Sequence, residues 1–78
     1  MFLSQLSHNQ SAIVDTVQAQ GTQDTIAQRL SELGFVAGEQ VRLISRAPFG
    51  GDPILVQIGF TRFALRLSEA ERVVVVGL

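Results

Sequence analysis

The spacing of apolar residues changes along the chain, and each change predicts a different element. Residues 12–19 are rich in β-branched side chains, which indicates a first strand. Over residues 22–33 the apolar positions instead fall on one stripe of a three-turn helix. The members of that stripe are Ile26, Ala27, Leu30 and Leu33. Thr22 or Asp24 can cap the start of this helix, and Gly34 suits its left-handed C-terminal position.

After the helix the pattern predicts β structure to the end of the chain. Three stretches alternate between apolar and polar positions, as half-buried strands do. They are residues 40–46, 54–58 and 63–67. Ile44 interrupts the alternation of the first stretch, which indicates partial cover on its second face. Residues 59–62 are short enough for a hairpin turn, residues 68–71 form a polar turn or one helical turn, and the valines at 73–76 indicate a strand buried on both faces.

Five short strands and one helix predict a mainly β fold and a single domain spanning residues 1–78. An open sheet exposes edges that pair with other chains. We therefore expect a small five- to six-stranded β-barrel, with the helix across one opening. The composition, 46% hydrophobic against 17% charged, supplies the core that such a small barrel needs.

The residue types that the chain lacks exclude more classes of function than the residue types that it contains indicate. The chain has no cysteine, lysine, tyrosine or tryptophan, and His8 is its only histidine. General bases and activated nucleophiles are accordingly scarce, so we expect no enzyme activity. The glycine pair at 50–51 lacks the lysine of a phosphate-binding loop.

Charge and hydropathy bear on partners and location. The formal net charge is −1, which argues against nucleic-acid binding. Four arginines could still gather on one sheet face and contact an acidic protein surface. These are Arg42, Arg46, Arg62 and Arg66. No signal peptide is visible and no apolar run is long enough to cross a bilayer, so we expect a cytoplasmic protein without membrane insertion.

The most informative segment is residues 47–53, Ala-Pro-Phe-Gly-Gly-Asp-Pro. Two prolines fix φ and two glycines permit positive φ, so the loop has a defined shape. The loop offers no nucleophile, base or metal cluster, and is better suited to contact than to chemistry. Phe49 either projects toward a partner or folds back to cap the barrel. Asp52 is expected to accept N–H bonds within the loop.

This segment belongs to a longer pattern that resembles one known family. The pattern comprises Leu30-x-x-Leu33-Gly34-Phe35-x-x-Gly38, Val41, the 47–53 loop, Ala64-Leu65-Arg66 and Glu69-Ala70. It is similar to the ferrous iron transport protein A (FeoA) family over essentially the whole chain. One departure is His8-Asn9, where family members often have a Pro-Gly turn.

The resemblance implies an SH3-like barrel and a role in bacterial ferrous iron uptake. It also implies a partner, the membrane ferrous iron permease (FeoB) with its cytoplasmic GTP-binding domain. We expect the contact surface to comprise Arg46, Phe49, Gly50, Gly51 and Asp52. Recognition of proline-rich peptides, the usual SH3 mode, is unsupported because tyrosine and tryptophan are absent and the five phenylalanines are needed largely for the core.

Two alternatives stay open. The first is a metal-responsive regulator related to the barrel domain of iron-dependent repressors, which forms a homodimer by sharing a zinc or iron ion between chains. One histidine cannot build such a site within one chain, so the ligands would be His8 of each chain with Asp15 or Glu39. The second is a free-standing barrel that binds an internal peptide ligand.

Overall fold

The computed structural model describes residues 1–78 and is mainly β, as the sequence predicts. A 3₁₀ turn opens the chain, followed by five strands and two helices. In chain order these are the 3₁₀ turn Leu3–Gln5, β1 Ser11–Val17, α1 Thr25–Leu33, β2 Gln40–Arg46, β3 Ile54–Ile58, β4 Thr61–Leu65, α2 Leu67–Ala70 and β5 Val73–Gly77. Neither helix is long and apolar enough to cross a membrane.

All five strands form one antiparallel sheet in the order β4-β3-β2-β1-β5. The outer strands β4 and β5 do not pair with each other, so no ladder closes the ring. The edge of β5 is covered by the start of the chain, where Phe2 bridges Val74 and the Val75 N–H donates to the Met1 carbonyl at 2.8 Å. The edge of β4 has no such cover.

Two β-bulges bend the central strands. The register of β1 against β5 shifts between Val14 and Thr16, and that of β2 against β3 shifts between Leu43 and Ser45. The second bulge accounts for Ile44, whose interruption of the alternating pattern indicated a covered face. An extra residue leaves the ladder there and increases the local twist of the strand.

The core lies on one face of the sheet and draws on every element. Fifteen buried apolar side chains form a single cluster. Leu3, Leu6 and Leu30 are fully buried, so the 3₁₀ turn and α1 both seal it. Phenylalanine contributes less than the sequence suggests. Phe35 is buried, but Phe49 and Phe60 are fully exposed, and the expectation that the phenylalanines serve largely as core is therefore wrong for these two.

Helix α1 begins at Thr25 rather than at residue 22, because Asp24 and not Thr22 is its cap. The Asp24 carboxylate accepts the N–H groups of Ile26 and Ala27 at 3.1 and 3.2 Å. These bonds satisfy two of the free donors in the first turn. At the other end Gly34 adopts φ 114°, the left-handed conformation expected of a helix terminator.

Two ion pairs connect the helices to each other and to the start of β5. Arg72 pairs with Asp24, and only 14% and 6% of these side chains are exposed. Arg29 pairs with Glu69 of α2. The i, i+3 spacing of Arg29 and Glu32 in the sequence predicts a pair between these two side chains. That interpretation is wrong, because Glu32 instead accepts a hydrogen bond from Gln28.

Candidate partner-binding site

The loop between β2 and β3 presents Phe49 at its tip. The side chain is fully exposed, so Phe49 does not fold back onto the barrel. Phe49, Gly50 and Gly51 all have positive φ, at 60°, 113° and 72°. This geometry is expected for glycine but costs a bulky residue roughly 1–3 kcal/mol, and such outliers cluster at functional sites. We call residues 47–53 the Phe49 loop.

Hydrogen bonds hold the Phe49 loop at its base and on one flank. The Ala47 N–H donates to the Pro53 carbonyl at 3.0 Å and closes the base, next to a cis Asp52–Pro53 peptide bond. The Asp52 carboxylate accepts the Leu67 N–H at 3.1 Å. Asp52 therefore accepts a backbone N–H as expected, but from the first residue of α2 rather than from within the loop.

Arg46 supports the loop from the other flank. Its guanidinium donates to the carbonyl oxygens of Ser4 and Leu6 at 2.6 and 2.8 Å. A Cβ built on Gly51 would lie 3.5 Å from the Arg46 Cδ, so the loop runs along the arginine stem. The guanidinium is engaged within the chain. Arg46 therefore stabilises the Phe49 loop and the 3₁₀ turn.

A shallow groove of about 300 Å³ runs from the Phe49 loop onto the outer face of the sheet. Its floor is mostly apolar. The lining residues are Ser45, Arg46, Ala47, Pro48, Pro53, Ile54, Leu55 and Ala64. The groove and the loop form one continuous surface, so a partner that contacts Phe49 also meets an apolar recess beside it.

The four arginines expected to gather do so only in part. Arg42, Gln57 and Arg62 occupy matched positions on β2, β3 and β4, so these two arginines share one row across the outer face. Arg42 donates to Gln57 Oε1 at 3.4 Å, and neither arginine forms an ion pair. Arg46 is withdrawn to the 3₁₀ turn, and Arg66 precedes α2 beyond the end of β4.

The structure separates His8 from the other two candidate metal ligands, Asp15 and Glu39. All three side chains are exposed, and no three metal-ligating residues lie together in the chain. His8 lies beside Leu43, because the neighbouring Asn9 N–H donates to the Leu43 carbonyl. The backbone carbonyl of Glu39 accepts the N–H of Val14, the residue next to Asp15. Four strand residues, on the order of 13 Å, separate these two ends of the β1–β2 ladder.

Phe60 and the outer groove are the features that sequence reasoning missed. Ile58 and Thr61 pair directly, so Gly59 and Phe60 form a two-residue hairpin turn. Gly59 has φ 59°, as the first residue of a type II′ turn does. A side chain at the tip of such a turn must project. The exposure of Phe60 could therefore have been predicted from the hairpin turn expected at residues 59–62.

Comparison with known proteins gives consistent matches. The family model for the FeoA domain matches residues 1–76. The crystal structure of Stenotrophomonas maltophilia FeoA complexed with zinc is 60% identical, with a TM-score of 0.89, over 96% of this chain and 88% of that one. That protein is described as a procaryotic SH3 domain protein and has been suggested as a ferrous iron transport activating factor. No match was found among curated proteins.

Two further structures show how widely the fold is shared. The solution structure of FeoA from Chlorobium tepidum is 33% identical, with a TM-score of 0.85, over 100% of this chain and 70% of that one. A manganese-dependent transcriptional repressor matches with a TM-score of 0.83 at 18% identity, and this chain covers 41% of its length. The likeness to the repressor concerns the SH3-like fold alone.

Proposed function

Since the chain belongs to the FeoA family, we propose that it is a non-enzymatic accessory protein of bacterial ferrous iron transport that acts by binding the cytoplasmic part of the iron permease. We place the protein in the cytoplasm and assign the contact to the Phe49 loop. Binding at this surface would adjust the assembly of the permease or its GTP-linked cycle.

The exposed and strained position of Phe49 carries this proposal. A fully exposed phenylalanine contributes nothing to the core, and its positive φ lowers stability. The bonds from Asp52, and from Arg46 to the 3₁₀ turn, keep the surrounding backbone in place. An aromatic side chain held in this way is the kind of residue that dominates protein–protein interfaces.

The lack of reactive groups supports an accessory role. The one histidine is an exposed turn residue, and the chain has no cysteine, lysine or tyrosine. Ser11 and Glu39 line a second shallow groove, and no hydrogen bond joins their side chains. We accordingly propose that the molecule changes the behaviour of a partner rather than converting a substrate.

Replacing Phe49 by alanine is expected to weaken binding to the permease. Loss of an aromatic anchor typically costs 2 kcal/mol or more, roughly a 30-fold rise in Kd. The measurement is biolayer interferometry or a pull-down with the purified cytoplasmic GTP-binding domain of the permease. Thermal unfolding should show that the variant is no less stable than the wild type.

Phe60→Ala is the matched control, because both phenylalanines are fully exposed and sit at opposite ends of β3. The control should bind as the wild type does. Equal binding by wild type and Phe49→Ala would remove the loop from the interface, whereas no binding by the wild type would identify the partner as wrong.

A second proposal concerns divalent metal, and the zinc complex of the S. maltophilia relative favours it. His8 and the Asp15–Glu39 pair lie at opposite ends of the β1–β2 ladder. Two copies packed side by side and antiparallel would bring the His8 of each chain toward the carboxylates of the other. We propose that zinc or ferrous iron is shared in this way and links two chains.

Sedimentation tests the shared site directly. Zinc is expected to double the mass of the wild type, and a chelator should reverse the change. His8→Ala should stay monomeric. Ser7→Ala, at an exposed position beside His8, should respond as the wild type does. Dimerisation that survives in His8→Ala, or an unchanged mass with zinc, contradicts the proposal.

A further inference from the structure

The outer edge of β4 is the one long unpaired backbone edge in the sheet. β4 ends the strand order, and its residues make no hydrogen bond to the chain outside the ladder with β3. Thr61, Arg62 and Ala64 are exposed. The opposite edge strand, β5, is shielded by Met1 and Phe2. An open edge of this kind is a template for pairing with another strand.

The register shows which groups the edge offers. The residues that flank a two-residue hairpin turn exchange hydrogen bonds, and bonded and non-bonded pairs then alternate. Ile58 and Thr61 are the flanking pair here. Arg62 and Ala64 therefore stand in non-bonded pairs, with their N–H and carbonyl groups directed away from β3. Two donors and two acceptors are spaced as a further antiparallel strand requires.

The side chains beside this edge make one part of it basic and the next part apolar. Arg62 and Ala64 lie on the outer face of the sheet, in register with Gln57 and Leu55 of β3. Arg62 and Arg42 carry unpaired positive charge on that face. Ala64 instead borders the apolar groove next to the Phe49 loop. The edge thus changes from basic to apolar within two residues.

We propose that β4 binds an extended acidic segment of a partner protein as a sixth strand. The segment carries a carboxylate beside Arg62 and, two residues away, an apolar side chain that enters the groove beside Ala64. Main-chain bonds give such complexes their affinity, and the alternate side chains give specificity. The partner rests on the proposed function, since the groove and the Phe49 loop belong to one surface.

Charge favours this occupant over a second copy of the chain. The only ionisable residue on β4 is Arg62, so pairing two β4 strands would bring together two arginines and no carboxylate. An acidic segment neutralises the row instead. Electrostatic complementarity of this kind steers association and suppresses wrong partners.

Hydrogen–deuterium exchange followed by NMR tests the edge on the unmodified chain. In the free protein the amides of Arg62 and Ala64 should exchange quickly. Saturation with the cytoplasmic domain of the permease should slow both by roughly tenfold or more. The N–H of Ala19, an exposed residue after β1 whose N–H has no hydrogen-bond partner in the chain, lies far from β4 in the strand order and should exchange unchanged. Unprotected edge amides in a complex that does form would overturn the strand proposal and leave the proposed function standing.

A pair of substitutions at one position gives a second test. Ala64→Pro removes an outward N–H without breaking the ladder with β3, and should weaken binding at least about tenfold. Ala64→Ser keeps both the N–H and the small size, and should bind as the wild type does. Equal binding by the proline and serine variants, with thermal unfolding showing both folded, contradicts the proposal.

A peptide separates this inference from the choice of partner. If the permease domain does not bind, the probe is a capped peptide with glutamate and leucine two residues apart between β-branched residues. Protection of Arg62 and Ala64 by millimolar peptide supports the edge site even though the partner is wrong. If the peptide does not protect these two amides, the edge-site proposal is wrong. Protection that grows with protein concentration in the free chain also contradicts the proposal, because it would identify a second copy of the chain as the occupant.

Discussion

Replacing Asp24 by alanine is expected to lower the free energy of unfolding by about 3–5 kcal/mol. The change leaves the buried Arg72 guanidinium without its counter-charge and removes the cap of α1. Asp24 also accepts the Gln20 N–H at 2.8 Å. A domain of this size has a total stability of about 4–12 kcal/mol, so the loss should be visible as a large fall in the urea midpoint.

Two further variants separate the cap from the ion pair. Asp24→Asn keeps an oxygen that can cap the helix but loses the charge, and should recover only the part due to the cap, about 1 kcal/mol. The double variant Asp24→Ala, Arg72→Met removes the stranded charge as well, and should be more stable than Asp24→Ala alone. A double variant no more stable than the single one would show that the buried charge is not the cause.

Phe35→Ala is expected to cost about 3–5 kcal/mol, because the ring is fully buried. Phe35 packs against Phe63 with ring centroids 6.0 Å apart, and joins the end of α1 to the inner face of β4. Deleting the ring leaves a cavity that rigid strands cannot close. Urea unfolding monitored by circular dichroism gives the change in free energy.

The same substitution at Phe60 provides the internal comparison. Phe60→Ala removes an equal side chain from a fully exposed turn, and should change the free energy of unfolding by less than about 0.5 kcal/mol. Similar losses at the two positions would mean that the hairpin tip packs against the domain, in conflict with its position here.

The elements of the fold were largely predictable because their causes are local. The apolar stripe of α1, the alternation in β2 and β3 and the left-handed Gly34 are each set by neighbouring residues. The position of the Phe49 loop also followed from its prolines and glycines. The periodicity alone predicted only a small barrel, and the resemblance to the FeoA family added the prediction of an SH3-like architecture.

The partners of the charged side chains were not predictable, because they are distant in sequence. Arg46 bonds to Ser4 and Leu6, which lie about forty residues earlier. The pairing of Arg72 with Asp24 spans the helix and most of the sheet. Local spacing instead favoured partners within the same element, as it did for Arg29. Tertiary packing decided these contacts.

The sequence predicted a shaped loop at residues 47–53 but not the contacts that hold it. The partner contact assigned to this loop stays a proposal. The sequence left the direction of Phe49 open and counted Arg46 among the contact residues, although its guanidinium bonds to Ser4 and Leu6. Which way a loop side chain points depends on φ values and on distant anchors. The unpaired edge of β4 was hidden for a similar reason, since periodicity identifies strands but not their order in a sheet.

The anchoring of the Phe49 loop has a kinetic consequence. Asp52 fixes one side of the loop to α2, and Arg46 fixes the other to the 3₁₀ turn. At the proposed interface, a partner that contacts Phe49 would therefore meet a backbone that is already held in place, and little conformational freedom would be lost on docking. Substitutions at this proposed interface should accordingly alter the residence time of the complex more than its rate of formation.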